Sequence, residues 1–275
     1  MQRTLIWDIP TRLFHWTLAT SFALAWLTSE SDTWRSVHVF AGYLMVGLVG
    51  FRVLWGFAGS HFSRFSSFRF GPGEAMTYLK QLVSGRAPRH VGHNPTGSLA
   101  IYALLVLTMI VGASGVLTLG SDEQQGLAAG WFSFSQAQTL KELHELTATL
   151  MLLLVGGHIV GVVAESVMHK ENLARSMVTG NKLAAANTPR TRTHPWVAVA
   201  MLVAMLGFAG WWFAYAMDRQ ADQWAWHATS EAGRPDDSHV RFVGKRLPDN
   251  TQWREECGSC HAVFYPALLP ARSWQ

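Results

Sequence analysis

The feature that most constrains this chain is a series of apolar stretches, each about as long as a bilayer is thick, separated by short polar segments. A hydrocarbon core of ~30 Å takes roughly 20 apolar residues as helix. Lipid offers the backbone no hydrogen-bond partner, so each such stretch must satisfy its own amides and is helical. Five stretches fit, at about 13–28, 37–58, 98–119, 140–167 and 196–217. Charged residues make up only 15% of the chain against 49% hydrophobic, which argues against an ordinary soluble domain. The net charge of +4 does not imply a nucleic-acid partner, because the basic residues lie in the connections between apolar stretches.

Those connections are unequal. The segment 61–95 holds Arg64, Arg69, Lys80, Arg86 and Arg89 against Glu74, and 168–195 holds Lys170, Arg175, Lys182, Arg190 and Arg192 against Glu171. The intervening segments are acidic or mixed, with Glu30, Asp32 and Arg35 in one and Asp122 and Glu123 in the other. Basic loops stay on the cytoplasmic side, which places the N-terminus in the cytoplasm of a bacterial inner membrane and delivers the tail, 218–275, to the periplasm. The first stretch carries His15, Trp16 and Trp26 and ends in no small-residue cleavage site, so it reads as a retained span. Residues 181–193 read as a flexible cytoplasmic link.

Ionisable side chains inside spans are costly and mark function. Four histidines occupy such positions: His15, His38, His144 and His158. His144 and His158 are fourteen residues apart on one helix, which returns them to within ~40° of one face and separates them by ~21 Å. Each then needs a partner at its own depth on another helix. With alternating span directions, His38 meets His144 on the periplasmic side and His15 meets His158 on the cytoplasmic side. Bis-imidazole ligation of two stacked b-type haems follows. The competing readings are interfacial histidines, or zinc or copper on imidazoles gathered at one depth.

Arg52 lies fourteen residues beyond His38, at the level of the cytoplasmic pair. It can serve a haem propionate there or snorkel to the surface beside Trp55. His61, His90, His93 and His169 read as solvated or interfacial, with a headgroup or quinone pocket as a second reading for His93.

The only cysteines, Cys257 and Cys260, are followed directly by His261. This C-x-x-C-H spacing is that of covalent c-type haem attachment, with two thioethers and one axial imidazole. A thioredoxin-like motif would need a βαβ surround that is absent. No Met follows Met217, so the tail cannot supply the Met/His ligation that raises haem potential. His227, His239, an open site or a partner's ligand remain for the distal side.

Several stretches together resemble the bacterial cytochrome b561 family, which includes b-type subunits of nickel–iron hydrogenases. They are Trp7-Asp8 with Arg12-Leu-Phe-His15-Trp16, His38 with Gly42-Tyr43, Phe51-Arg52 with Trp55-Gly56, Gly92-His-Asn-Pro95, Lys141-Glu-Leu-His144-Glu145 and His169-Lys-Glu-Asn172. The resemblance implies an all-α membrane protein built on a four-helix di-haem bundle with ligands at His15, His38, His144 and His158. A fifth transmembrane helix and a small extramembrane c-haem tail would follow it. The expected division is 1–182 for the bundle, 183–217 for linker and fifth helix, and 218–275 for the tail. Tail residues Glu256 to His261, with Tyr265-Pro266 and Leu269 to Trp274, resemble the start of di-haem cytochromes c, without a second C-x-x-C-H.

The expected function is transmembrane electron transfer through two b-type haems and one c-type haem, between membrane quinone or quinol and a periplasmic cytochrome or oxidoreductase. Competing readings are an enzyme acting on a small redox substrate such as superoxide, the b-subunit of a larger complex such as a hydrogenase, and a proton-relaying anchor or transporter without haem.

Overall fold

The structure, a computed structural model, describes residues 2–231 apart from 32, 123, 124 and 133. Cys257, Cys260, His261 and His239 lie outside the described residues, and so does the side chain of His227. In chain order the elements are β1 (Gln2–Leu5), α1 (Ile9–Leu27), α2 (Arg35–Ala58), α3 (Pro72–Val83), α4 (Pro95–Asp122), α5 (Phe134–Met168), α6 (Leu173–Thr179), β2 (Asn181–Ala184) and α7 (Pro195–Glu231). Residues Met1–Met217 form one compact unit.

Every expected apolar stretch is helical. Among the described residues four helices are long and apolar enough to cross a membrane: α2, α4, α5 from Gln136, and α7 to Tyr215. Helix α1 forms where the first span is expected, and its 19 residues reach ~28 Å. It is not among those four, and Thr11, Arg12, His15, Thr17, Thr20 and Ser21 interrupt its apolar run.

The start of α1 shows how the bundle is tied together. Asp8 is its N-cap and accepts the Thr11 amide at 2.9 Å, the usual answer to an unpaired helical N–H. The same carboxylate, fully buried, accepts Trp55 Nε1–H at 3.0 Å and the Ser63 hydroxyl at 3.2 Å. A local capping residue thereby fastens the start of α1 to the end of α2. Beside Trp55, an added Cβ on Gly56 would sit 2.1 Å from Phe65 Cε2, so only glycine lets that ring lie on α2. Above this layer Phe14, Leu48, Val49, Leu105 and Met201 form a core shared by α1, α2, α4 and α7.

The segment after α6 is not the flexible link expected. Residues Asn181–Ala184 pair antiparallel with Gln2–Leu5, with Gln2 opposite Ala184 and Leu5 opposite Asn181. Gly180 caps α6 in the left-handed conformation, at φ 82°, and its carbonyl accepts the amides of Ile6 and Trp7 at 2.8 and 3.0 Å. Lys182 is buried, donating to the His90 carbonyl at 3.3 Å beside Glu171. Thr191 further donates to the Ile6 carbonyl at 3.1 Å. Backbone pairing over four residues leaves no hydropathy signal, and Lys182, counted with the basic residues of the loop, is one of its buried anchors.

Helix α5 packs along α4, while α1 packs along α2, and α2 along α4. No comparably close packing joins α5 to α1 or α2. Histidine rings from α1 and α2 lie across that space from histidine rings of α5.

Candidate functional site

His15, His38, His144 and His158 meet in the pairs their spacing predicts. The rings of His38 on α2 and His144 on α5 have centroids 6.1 Å apart. Those of His15 on α1 and His158 on α5 are 6.4 Å apart. Two imidazole nitrogens each about 2 Å from one metal put their ring centres about 6 Å apart, so both pairs have the separation that a shared iron requires. They are also too far apart to hydrogen-bond to each other.

The surroundings of the pairs differ. His38 Nδ1 lies 2.8 Å from the Ala25 carbonyl. A carbonyl can only accept, so the ring proton is on Nδ1 and the Nε2 lone pair is free. The source is the C-terminal turn of α1, where the last carbonyls have no helical donor. His144 Nδ1 lies 3.1 Å from the Val111 carbonyl on α4 and 3.1 Å from Ser114 Oγ, which again leaves Nε2 free. By contrast, His15 Nδ1 is buried without a hydrogen-bond partner. Among the described residues His158 receives no hydrogen bond either.

Several features fit flat anionic groups held between α5 and the α1–α2 layer. Cβ atoms added at Gly42, one turn beyond His38, or at Gly161, one turn beyond His158, would meet nothing within 4 Å. Arg52 is only 3% exposed, with its guanidinium 5.0 Å over the Phe65 ring and Nη1 buried without a partner. Burial rules out snorkelling for Arg52, and an unpaired buried N–H calls for an acceptor. Among the described residues no three His, Cys, Asp or Glu side chains converge, in contrast to a zinc or copper site at one depth.

The loop histidines were only partly legible. His93 is not solvated: its ring packs between Trp7 and Phe68, with centroids at 4.7 and 4.4 Å. Burial, reinforced by the charges of Arg52 and Lys182, pushes its pKa down to about 3. His61 is exposed, as expected, while His169 has a buried Nε2 without a partner. One cluster went unanticipated. Glu165, seven residues beyond His158, accepts from Tyr78 Oη–H and from Asn94 Nδ2–H, the latter at 2.6 Å. Burial and the bond to Glu165 push the Tyr78 hydroxyl well above the usual phenol range. The spacing from His158 is the one sequence signal for Glu165, since seven residues return to the same helix face.

A bundle of membrane-length helices with paired histidines at two depths defines the class of protein: an intramembrane b-type cytochrome. Residues 6–180 match the family model described as prokaryotic cytochrome b561, and the chain belongs to that family. Residues 253–275 also match a family model described as dihaem cytochrome c. Similar curated proteins are each described as "Probable Ni/Fe-hydrogenase B-type cytochrome subunit". The one from Azotobacter vinelandii is 25% identical over 219 residues, 67% of this chain and 90% of its own length. That from Cupriavidus necator is 25% identical over 213 residues, covering 66% and 87%. That from Rhizobium leguminosarum bv. viciae is 26% identical over 216 residues, covering 66% and 90%. No solved structure matches the chain. Family membership makes this a multi-pass membrane protein of transmembrane b-haem electron transfer.

Proposed function

We propose that the chain holds two b-type haems, one between His38 and His144 and one between His15 and His158, and a covalent c-type haem at Cys257, Cys260 and His261. In this reading it carries electrons across the bacterial inner membrane between quinone and a periplasmic redox partner. The observation that carries the proposal is the pairing itself: ring centroids at 6.1 and 6.4 Å on separate levels of one helix pair set. The levels are fourteen residues apart on α5, or ~21 Å. Haem supplies one-electron chemistry at iron. The protein's part is to present the imidazoles, exclude water from the ligands and answer the porphyrin's carboxylates.

Those parts are assignable. His38 and His144 present Nε2 because their Nδ1 protons are committed to the carbonyls of Ala25 and Val111. His15 and His158 present theirs from opposite sides of the second level. Arg52, buried and unpaired at Nη1, answers a propionate at that level. In this reading the N-terminus and the His15/His158 level face the cytoplasm, which the charge of the basic loops supports, and α1 crosses as a fifth span alongside α2. The names of the similar proteins favour a second version of the same reading, in which the chain is the membrane subunit of a larger oxidoreductase such as a hydrogenase.

A pyridine haemochrome spectrum of the purified full chain, with a haem-stained denaturing gel, tests this. Two b-type haems for each covalent haem is the expected result. Absence of b-type haem would remove the histidine pairing. Haem b without covalent haem would remove the role of the tail.

A further inference from the structure

We propose that α3 seats an apolar stripe in the lipid leaflet beside the start of α4 and the end of α5, and that its basic margin recognises anionic phospholipid headgroups there. This goes beyond the electron-transfer reading and does not depend on haem.

Two hydrogen bonds fix the level of α3. The Thr96 hydroxyl, on the second residue of α4, donates to the Ala75 carbonyl at 2.9 Å. The Tyr78 hydroxyl donates to Glu165 in the last turn of α5. Helix α3 is thereby held where one membrane-length helix begins and another ends, which is the depth of the headgroups.

At ~100° per residue α3 has three faces. Ala75 and Tyr78 are buried, on the side that packs against α4. Met76, Leu79 and Val83 fall within ~60° of one another and ~100° round from that side. All three are exposed, Val83 at 84%. Gly73, Thr77 and Gln81 form the polar face, and Lys80 stands on the border between it and the stripe. In water a bare stripe of this kind is unfavourable. At headgroup depth an apolar stripe with a cationic margin is the pattern of an interfacial helix.

Charge selects the headgroup. Residues 61–95 hold Arg64, Arg69, Lys80, Arg86 and Arg89 against one acid, Glu74, whose carboxylate accepts the Gly71 amide at 2.7 Å. Arg89 is paired with Glu171 at 2.9 Å. Lys80 and Arg86 are exposed and enter no ion pair among the described residues. Gly85 turns the chain in the left-handed conformation, at φ 71°, and the Arg86 amide closes on the Gln81 carbonyl at 2.8 Å. This helix ending keeps Arg86 beside the last turn, next to Val83. Both cations can lay their stems along lipid and meet phosphate oxygens with their heads.

Thiol reactivity in nanodiscs tests the proposal, using the full chain with Cys257→Ala and Cys260→Ala so that only an introduced cysteine reacts. Val83→Cys reports the stripe and Thr77→Cys the polar face, and a membrane-impermeant maleimide gives each rate as a gel shift. A thiol carried out of water loses its reactive thiolate, so with phosphatidylglycerol present Val83→Cys should react about tenfold or more slowly than Thr77→Cys. Adding Lys80→Gln and Arg86→Gln should raise the Val83→Cys rate about fivefold per lost charge, up to the Thr77→Cys rate. Replacing phosphatidylglycerol with phosphatidylcholine should act in the same direction. Equal rates for Val83→Cys and Thr77→Cys in phosphatidylglycerol would overturn the seating. A slow Val83→Cys rate that ignores both lipid charge and the two neutralised cations would overturn the headgroup recognition. Protection seen in native membranes but lost in nanodiscs of the purified chain would assign the stripe to a protein partner, and would overturn the proposal as well. If Val83→Cys does not fold, Met76→Cys carries the same comparison. Failure of the di-haem reading is separate, because it appears in haem content and not in these rates.

Discussion

At the residue scale, the polar side chains at the base of the bundle are mostly structural, and they make separable predictions. Asp8 caps α1 and receives Trp55 and Ser63 from outside that helix. Removing it strands three donors, so Asp8→Ala is expected to cost about 2–4 kcal/mol, combining a lost cap with unsatisfied buried groups. Asp8→Asn keeps a capping oxygen and should cost about 1 kcal/mol. Thermal melting of the detergent-solubilised protein checks both, and equal losses would count against the capping role. His93 makes a pH prediction. Its folded pKa of about 3 lies below the ~6.5 of an unfolded histidine, so the unfolded chain binds the extra proton between those values. Stability is therefore fully present above about pH 6.5 and falls by up to about 1.4 kcal/mol per pH unit as the medium is acidified toward pH 3. His93→Phe, which preserves an aromatic ring between Trp7 and Phe68, should flatten that part of the pH profile measured from pH 7 to pH 5.

At the element scale, the comparison of sequence with structure turns on which interactions have a period. The spans and the histidine pairs were legible because a helix converts spacing into depth and face. Fourteen residues fix His144 and His158 on one side of α5, and the partner depths on α1 and α2 follow. The carbonyls that set the ring tautomers were not legible, since Ala25 and Val111 act through backbone that every residue shares. Nor was the β1–β2 ribbon, whose partners lie far apart in sequence and whose Lys182 counts with the basic residues of the loop. Asp8 was half legible: Asp8-Ile-Pro10 is a helix-start signature, but nothing in it names Trp55. The ribbon gives a direct test. Deleting residues 2–5 removes the strand opposite Asn181–Ala184 and should expose the segment between α6 and α7 to limited proteolysis in membranes. The b-haem content should be retained, because His15 is held on α1 rather than on the ribbon. At Gly56, where a Cβ would overlap Phe65, Gly56→Ala should destabilise by about 1–3 kcal/mol through overpacking, read as a lower melting temperature.

At the scale of the whole molecule, the question is whether membrane cytochrome and tail act as one device or as two joined by a helix. The paired histidines, their carbonyl partners and Arg52 all lie within Met1–Met217, a compact unit with its own core. Among the described residues, the groups that touch the rings of His38, His144, His15 and His158 lie on α1, α2, α4 and α5. Binding of b-type haem should therefore be independent of the cysteine motif. The double variant Cys257→Ala, Cys260→Ala is expected to lose haem staining on a denaturing gel while keeping the full pyridine haemochrome signal of the b-type haems and both of their potentials. Its electron exchange with a soluble periplasmic acceptor or donor should fall sharply, while reduction of the b-type haems by quinol analogues persists. A variant that lost b-type haem as well would show that the tail completes the bundle. Unchanged exchange with soluble partners would place the exit point on the bundle itself, at the His38/His144 level, the end nearest the proposed periplasmic side.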